Sequence, residues 1–112
     1  MGDVRDSAAV LEICDGADIV FHLAAQSTVV GAMVDPEYAF QTNAVGTFNV
    51  LRAAVTAKVP RMVFASSCEV YGEPIALPAH EDSPLLPINS LGASKVVGEV
   101  IESPAFVAKL LP

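Results

Sequence analysis

Apolar residues along this chain are concentrated in two short runs, at residues 18–25 and 61–66. Both runs are rich in β-branched and aromatic side chains, with Gly16 shortly before the first and Pro60 directly before the second. A short apolar run of this kind is typical of a strand that is covered on both faces. We therefore predict two buried strands.

Two longer segments have the spacing of helices. Residues 36–58 begin with a proline that suits a first turn, and their apolar side chains recur every three or four residues. Residues 92–102 repeat this pattern more briefly, until Pro104 interrupts it. Because a long helix separates the two predicted strands, a right-handed crossover would make those strands parallel.

Shorter signals complete the outline of the fold. Asp6 or Ser7 can cap a small helix near the N-terminus, and Gly16 suits its left-handed end. Prolines and scattered charges predict an irregular surface loop at residues 73–87. The order of elements predicts an α/β fold with a doubly wound parallel sheet. A sheet of only two strands has an open edge, which either preceding chain or a partner would cover.

Composition narrows the range of functions. With 112 residues, 53% of them hydrophobic, the chain is at most one domain with ample material for a core. Its 13 acidic and 6 basic side chains give a net charge of −7, which argues against a nucleic-acid partner. The weakly polar stretch at 19–34 is too short and too polar for a membrane span. No secretory signal is evident at the start, so we expect a cytoplasmic protein.

The two cysteines, Cys14 and Cys68, have neither CxxC nor Cys/His metal spacing. We expect both to be reduced and packed, with no disulfide and no metal site.

Five short sequence motifs occur in an order that is similar to a known family. The chain resembles the extended short-chain dehydrogenases, the family of NAD-dependent nucleotide-sugar epimerases, dehydratases and decarboxylases. The resemblance implies a partial Rossmann-like fold with NAD as the cofactor. The motifs are GDVRD at 2–6, HLAAQ at 22–26, NAVGTFNVL at 43–51, SSCEVYG at 66–72 and LGASK at 91–95.

The resemblance implies several contacts with the cofactor. Asp3 would accept a hydrogen bond from the adenine amino group, and the Val4 amide would complete the base edge; a solvated loop acid is an equally good interpretation of Asp3. At the carboxyl end of the first strand, small side chains would let the cofactor lie against the backbone, although small core packing explains them too. These residues are Leu23, Ala24 and Ala25.

Three further residues, Ser67, Cys68 and Glu69, stand at catalytic positions of the family, and Cys68 departs from its pattern. Ser67 matches the serine or threonine that hydrogen-bonds the sugar oxygen to be oxidised. Cys68 replaces the acid of the dehydratases, whereas Glu69 could still serve as a base or could simply be solvated. In contrast, we expect His22 to be a structural strand histidine without a catalytic role.

The family's acid/base pair is incomplete in this chain. In the family a tyrosine four residues before a lysine exchanges the hydroxyl proton, and the lysine holds the nicotinamide ribose. Lys95 matches the lysine, but Leu91 stands at the tyrosine position and cannot exchange a proton. Asn43 matches a side chain that anchors loops beside the nicotinamide half, unless it is a simple exposed asparagine.

The resemblance also implies elements beyond those in the 112 residues. In the family a first βαβ unit with a GxxGxxG turn cradles the pyrophosphate ahead of the GDVRD motif. We expect a single partial NAD-binding domain over 1–112 that lacks this unit, with a divergent tail at 103–112.

Two functions stay open at this point. One is an epimerase, dehydratase or decarboxylase that acts on a nucleoside-diphosphate sugar through transient oxidation at C4, impaired here by Leu91. The other is a non-catalytic truncated paralogue or fragment that acts, if at all, as a binding module. The sugar and the choice between NAD and NADP are open as well. Family members usually dimerise through two long helices that match 36–58 and 92–102, so a homodimer is expected.

Overall fold

Two parallel strands and six α-helices make up the fold of residues 1–111, which are the residues described by the computed structural model. A π-helical turn and a 3₁₀ turn complete it. In chain order the elements are α1 (Ser7–Cys14), β1 (Val20–His22), α2 (Val29–Val34), α3 (Pro36–Phe40), the π turn (Gln41–Val45), α4 (Gly46–Thr56), β2 (Met62–Phe64), the 3₁₀ turn (Cys68–Tyr71), α5 (Ser90–Ile101) and α6 (Pro104–Leu110).

The two strands pair in parallel over three residues each, which confirms the predicted α/β class and the parallel sheet. Both strands are shorter than the apolar runs at 18–25 and 61–66. The last bond between them runs from the Ala65 amide to the His22 carbonyl, at 3.2 Å. Beyond this bond the two backbones separate, and the gap between them opens as a cleft.

The two faces of the sheet differ sharply in burial. Successive strand residues point to opposite faces, so Val20 and His22 lie under the helices while Phe21 and Val63 point away from them. Phe21 is 62% exposed and Val63 is 40% exposed. The prediction of strands covered on both faces is therefore wrong for the described part of the chain. The reason is that the helices pack on one face only, so alternation leaves the other face bare.

Helix α1 follows its predicted end signals. The Asp6 carboxylate caps it by accepting hydrogen bonds from the amides of Ala8 and Ala9. Gly16, just past its end, has a φ of +73°, which only glycine adopts without strain. Helix α1 packs against α4, and the core between them consists of Val10, Cys14, Val50 and Ala53.

The long predicted helix at 36–58 consists of three pieces. Helices α3 and α4 are joined by the π turn at Gln41–Val45, a wider turn that interrupts the regular repeat. The fully buried Asn43 lies in this turn. Helix α4 ends at Thr56, two residues earlier than predicted, where Lys58 follows with a φ of +57°.

Helix α2 lies in the segment after β1, where the sequence pattern predicted no helix. It is six residues long, and the Thr28 hydroxyl caps it by accepting from the Gly31 amide at 3.1 Å. A Cβ atom at Gly31 would lie 1.9 Å from the Gln26 side-chain amide, so glycine lets the preceding loop fold back on the helix. This helix is too short to produce a recognisable repeat in the sequence.

Helix α5 begins at Ser90, two residues before the predicted start, because Asn89 caps it. It packs closely on β2: a Cβ atom at Gly98 would lie 2.5 Å from the Phe64 ring. The tail at 103–112 contains helix α6, capped by the Ser103 hydroxyl; residue 112 lies outside the described residues. None of the helices in residues 1–111 has the length and apolarity that a membrane span requires.

Candidate functional site

A cleft of about 160 Å³ opens at the carboxyl ends of the two strands. Its walls come from the segment after β1, the segment after β2 and one face of α5. This is the edge at which open α/β sheets bind ligands. The lining residues are Leu23, Ala25, Ser27, Ala65, Ser66, Ser67, Leu91 and Lys95.

Lys95 extends from α5 across the end of β2. The residue is only 5% exposed, and its Nζ donates to the Ala65 carbonyl at 2.8 Å. The same nitrogen lies 4.9 Å from the centre of the Phe64 ring. Burial lowers the pKa of Lys95, while the negative charge of Glu102 acts in the opposite direction. The structure thus makes Lys95 a buried cleft residue and excludes the alternative of an exposed helix lysine.

A hydrogen-bonded set of Gln26, Asn43 and Ser94, here called the amide frame, supports the cleft from behind. Asn43 accepts from the Gln26 amide at 2.8 Å and donates to the Gln26 carbonyl at 2.9 Å. It also donates to the Ser94 hydroxyl at 3.0 Å, and Ser94 in turn donates to the Leu91 carbonyl at 2.8 Å. The frame joins the loop after β1 to α5. Asn43 is therefore a buried anchor, and the alternative of an exposed asparagine is wrong.

Ser67 and Glu69 lie together at the start of the 3₁₀ turn. The Ser67 hydroxyl accepts from the Glu69 amide at 3.2 Å, which leaves its own proton available for a ligand in the cleft. The Glu69 carboxylate accepts from the Asn89 side-chain amide at 2.6 Å, so it is held and not simply solvated. Asn89 also accepts from the Gly92 amide at 2.8 Å, which ties this turn to the start of α5.

Leu91 is 3% exposed and lies on the first turn of α5. It packs against Ala32 of α2 and Ala39 of α3, with Val29 at the margin, and it borders the cleft. Its side chain has no polar atom, so the wall beside Lys95 is apolar at this point.

His22 makes its contacts inside the fold. It is buried on β1 and stacks on Phe64 at 5.8 Å between ring centres. The Thr47 hydroxyl donates to the Asn43 carbonyl, so it accepts from His22 Nε2, 2.9 Å away. Burial, aided by the positive charge of Lys95, lowers the pKa of His22 to about 4.

Of the remaining predicted cofactor residues, Leu23 borders this cleft, whereas Asp3, Val4 and Ala24 lie outside it. A larger groove of about 310 Å³ runs along β1, and Val4, Leu23 and Ala24 are among its lining residues. Leu23 borders both spaces, so the groove and the cleft adjoin. Asp3 is exposed, and its bonds to the Arg5 guanidinium and amide lower the pKa of Asp3 to about 2.

Three residues of the site escaped the sequence-based prediction: Asn89, Ser94 and Glu99. The Asn-Ser-Leu-Gly start of α5 carried a capping signal for Asn89, and Ser94 lies inside the LGASK motif. No sequence signal marked Glu99, which accepts a hydrogen bond from the Ser66 hydroxyl across 33 residues of chain.

The two cysteines differ in their surroundings. Cys14 is buried in the α1 core, as expected, whereas Cys68 is exposed beside the cleft. The expectation that Cys68 is packed is wrong, because the residue opens the 3₁₀ turn beyond the carboxyl end of β2, outside the paired strands. Across residues 1–111 there is no group of three or more His, Cys, Asp or Glu side chains suited to hold a metal ion.

Comparisons with known proteins point in one direction. A family model described as GDP-mannose 4,6 dehydratase matches residues 1–103. The UDP-glucose 4-epimerase of Lactobacillus helveticus is 38% identical over 102 residues, which are 89% of this chain and 31% of that protein. The UDP-glucose 4-epimerase of Streptomyces lividans is 40% identical over 98 residues, which are 85% of this chain and 30% of that protein. The chain therefore spans about a third of the length of these relatives.

Solved structures give the same picture. The UDP-glucose 4-epimerase of Brucella ovis in complex with NAD superimposes with a TM-score of 0.89 and 32% identity, over 98% of this chain and 34% of that chain. The UDP-glucose 4-epimerase of Bifidobacterium longum in complex with NAD⁺ and UDP gives a TM-score of 0.86 at 32% identity, over 96% and 33% of the two chains. A double mutant of the dTDP-glucose 4,6-dehydratase DesIV of Streptomyces venezuelae gives a TM-score of 0.84 at 34% identity, over 89% of this chain and 31% of that chain.

Proposed function

This chain belongs to the family of NAD-dependent nucleotide-sugar epimerases and dehydratases, and we propose that it supplies part of an NAD-binding unit whose proton transfer is impaired by Leu91. The observation that carries the proposal is the cleft itself. It brings a serine hydroxyl and a lysine amine to the carboxyl edge of the sheet, together with the leucine. The substrate class that suits this family chemistry is a nucleoside-diphosphate sugar.

The residues along β1 suit a dinucleotide. The groove and the cleft adjoin at Leu23, so an extended cofactor could lie along both. Ala24 and Ala25 are small enough for a ligand to approach the strand end closely. The solved relatives from Brucella ovis and Bifidobacterium longum are complexes with NAD, which supports NAD as the cofactor of this chain. NAD supplies a hydride acceptor when bound.

Within the cleft, Lys95 would hold the nicotinamide ribose through its amine. The amide frame supports the turn of α5 from which Lys95 extends, since Asn43 and Ser94 link it to the loop after β1. Asp3 and Val4 would contact the adenine end. The Asp3 carboxylate forms an ion pair with Arg5 at 2.6 Å. To contact the adenine, it would have to accept a further hydrogen bond beside this pair.

Ser67 would donate a hydrogen bond to the sugar hydroxyl that is to be oxidised. Oxidation of an alcohol also requires a group that accepts the hydroxyl proton, and Leu91 cannot do this. Loss of a positioned acid or base typically lowers a rate by about a hundred- to ten-thousandfold. Glu69, held by Asn89, is the base available for chemistry at a neighbouring carbon. With Cys68 in place of the dehydratase acid, epimerase or decarboxylase chemistry fits better than dehydration.

A binding module without catalysis is the second candidate function. The observation that favours it is the close packing of Leu91 against Ala32 and Ala39, which makes the leucine part of the core. The two candidates predict different results when a tyrosine is placed at position 91. The cytoplasmic address and a homodimer through α3, α4 and α5 stay predictions.

The test compares Leu91→Tyr with Leu91→Phe in the full chain. The two variants add rings of similar size, and only tyrosine adds a hydroxyl. We expect Leu91→Tyr to convert UDP-sugar about a hundredfold faster than Leu91→Phe, in the presence of NAD. Circular dichroism confirms that both variants are folded. Equal rates in two folded variants would overturn the proposal of an impaired enzyme and favour the binding module.

A further inference from the structure

Two consecutive residues that follow β2 are held by the same face of α5. The Ala65 carbonyl accepts from Lys95 Nζ at 2.8 Å, and the Ser66 hydroxyl donates to the Glu99 carboxylate. Lys95 and Glu99 are four residues apart, so they lie one turn from each other on one side of the helix. The backbone is therefore fixed by α5 at two successive positions immediately before Ser67.

Ser66 and Ser67 both line the cleft, but their hydroxyl groups are engaged in opposite ways. A serine hydroxyl has one proton to donate. Ser66 gives its proton to Glu99, whereas Ser67 accepts from the Glu69 amide at 3.2 Å and keeps its own. A hydrogen bond to a carboxylate is stronger than one between neutral groups, so the Ser66 proton is firmly engaged. Of the two adjacent serines, Ser67 is thus the one whose proton remains for a ligand.

We propose that Glu99 is a positioning residue, which commits the Ser66 hydroxyl to α5 and thereby sets Ser67 as the hydrogen-bond donor in the cleft. The proposal rests on the function proposed above, in which Ser67 donates to the sugar hydroxyl. The two serines line the cleft and Glu99 does not, so the carboxylate acts through Ser66. The choice of donor is then a property of α5, the helix that also carries Lys95.

Loss of the Glu99 carboxylate has two consequences at the end of β2. The Ser66 hydroxyl loses its partner, so it can rotate towards the cleft and compete with Ser67 for the same ligand oxygen. The backbone before the 3₁₀ turn also loses one of the two contacts that α5 makes with it. Because Ser67 caps this turn by accepting from the Glu69 amide, a displaced Ser67 hydroxyl alters that bond. The Glu69 amide therefore reports on the Ser67 hydroxyl.

The first measurement uses this reporter and requires no ligand. NMR of the isotope-labelled full chain follows the Glu69 amide signal in Glu99→Ala, Glu99→Gln and Ser66→Ala. We expect the signal to move by more than its line width in Glu99→Ala and in Ser66→Ala, because both remove the same hydrogen bond. It should stay in place in Glu99→Gln, whose side-chain oxygen still accepts from Ser66. Glu12→Ala, at an exposed position on α1, is the control and should leave the signal unmoved.

The proposal fails if the Glu69 signal stays in place in folded Glu99→Ala or Ser66→Ala protein. An equal movement in Glu99→Gln or in Glu12→Ala would also overturn it, because the effect would then not depend on the hydrogen bond. Ser66→Ala keeps the test decisive if Glu99→Ala does not fold, since it breaks the same bond from the other side.

The second measurement is made in the Leu91→Tyr chain with NAD and UDP-glucose. There Glu99→Ala should lower kcat roughly tenfold with little change in KM, because the misplaced donor matters most in the transition state. Glu99→Gln should restore most of the rate. An active Leu91→Tyr chain that Glu99→Ala does not slow would contradict only the role of Glu99. An inactive Leu91→Tyr chain in which the Glu69 signal responds as expected would contradict only the function proposed above.

Discussion

The back of the cleft is formed by hydrogen-bonded polar groups, whereas its front is apolar at position 91. Behind it, the amide frame of Gln26, Asn43 and Ser94 satisfies its polar groups with one another and fixes three parts of the chain. At its front, position 91 carries a leucine that packs into a small apolar cluster. The framework that positions a cofactor and the group that transfers a proton are thus separable. A chain can retain the first without the second.

The largest effect is expected from breaking the frame at Asn43. Asn43→Ala removes two bonds to the Gln26 backbone and one to Ser94 in a fully buried place. It should lower the free energy of unfolding by about 3 kcal/mol, measured by urea denaturation.

Asn49→Ala is the matched control for this substitution. Asn49 lies on the same stretch of helix, but it donates to the Val4 carbonyl, away from the cleft. We expect a smaller loss, about 1 kcal/mol. If the two variants lost the same stability, the frame would have no special role.

A second variant, Gly92→Ala, would push the first turn of α5 away from the 3₁₀ turn that carries Glu69. A Cβ atom at Gly92 would lie 2.3 Å from the Glu69 carbonyl oxygen, a backbone atom that cannot move aside cheaply. Gly92→Ala should therefore lower the free energy of unfolding by about 2 kcal/mol, although alanine favours helix. Thermal unfolding measures the loss. An unchanged or higher melting temperature would show that α5 does not depend on this close approach.

A third prediction concerns Glu102, which caps the C-terminal end of α5, at the opposite end of the helix from Leu91. Burial, together with the negative charge of Glu99, raises the pKa of Glu102 to about 7, against the charge of Lys95. The folded protein therefore holds this proton more tightly than the unfolded chain. The corresponding stability is present below about pH 4.5 and is lost as the pH rises to about 7.

Glu102→Gln should remove this pH-dependent loss of stability, because glutamine does not ionise. After allowance for partial exposure, the variant should gain about 1 kcal/mol relative to the unaltered protein between pH 5 and pH 8. Urea denaturation at the two pH values measures the difference, with Glu12→Gln on α1 as the control. His22 contributes in the opposite direction below pH 6.5, because its pKa is lowered, and it does so in both proteins. A pH-independent difference between variant and parent would contradict the prediction.

The smallest effect on stability is expected at Asp3. Its ion pair with Arg5 is fully exposed, and such pairs contribute little. Asp3→Asn should leave the urea midpoint unchanged and weaken NADH binding, because asparagine is a poorer acceptor than a carboxylate. A clear loss of stability would instead make Asp3 a structural residue.

Much of this site was predictable from sequence because local patterns encode it. The apolar runs around Val20 and Val63 indicated the strands, and the motifs SSCEVYG and LGASK located Ser67 and Lys95. Contacts between distant segments left no such pattern. Asn89 reaches Glu69 across 20 residues, and Asn43 reaches Ser94 across 51. Nothing in the periodicity of either segment shows which partner it will meet.

The sequence did not reveal the shape of the helices or the uncovered face of the sheet, and the reasons for the two differ. Helix α2 has only six residues, and its start depends on the Thr28 cap. The π turn contains the buried Asn43, and a helical repeat in the sequence does not show such a turn. The apolar run around Phe21 led to a prediction of burial on both faces of the strand. Hydrophobicity in the sequence indicates which residues favour burial, but it does not show which of them the rest of the chain covers.

The most direct test of the central claim is a titration of the full chain with NADH, followed by nicotinamide fluorescence. Lys95→Met removes the amine at the cleft, and Lys109→Met on α6 removes an exposed amine elsewhere. We predict saturable binding with a dissociation constant below about 1 mM, weakened roughly tenfold by Lys95→Met and unchanged by Lys109→Met. Absence of saturable binding by the folded protein at millimolar NADH would contradict the account.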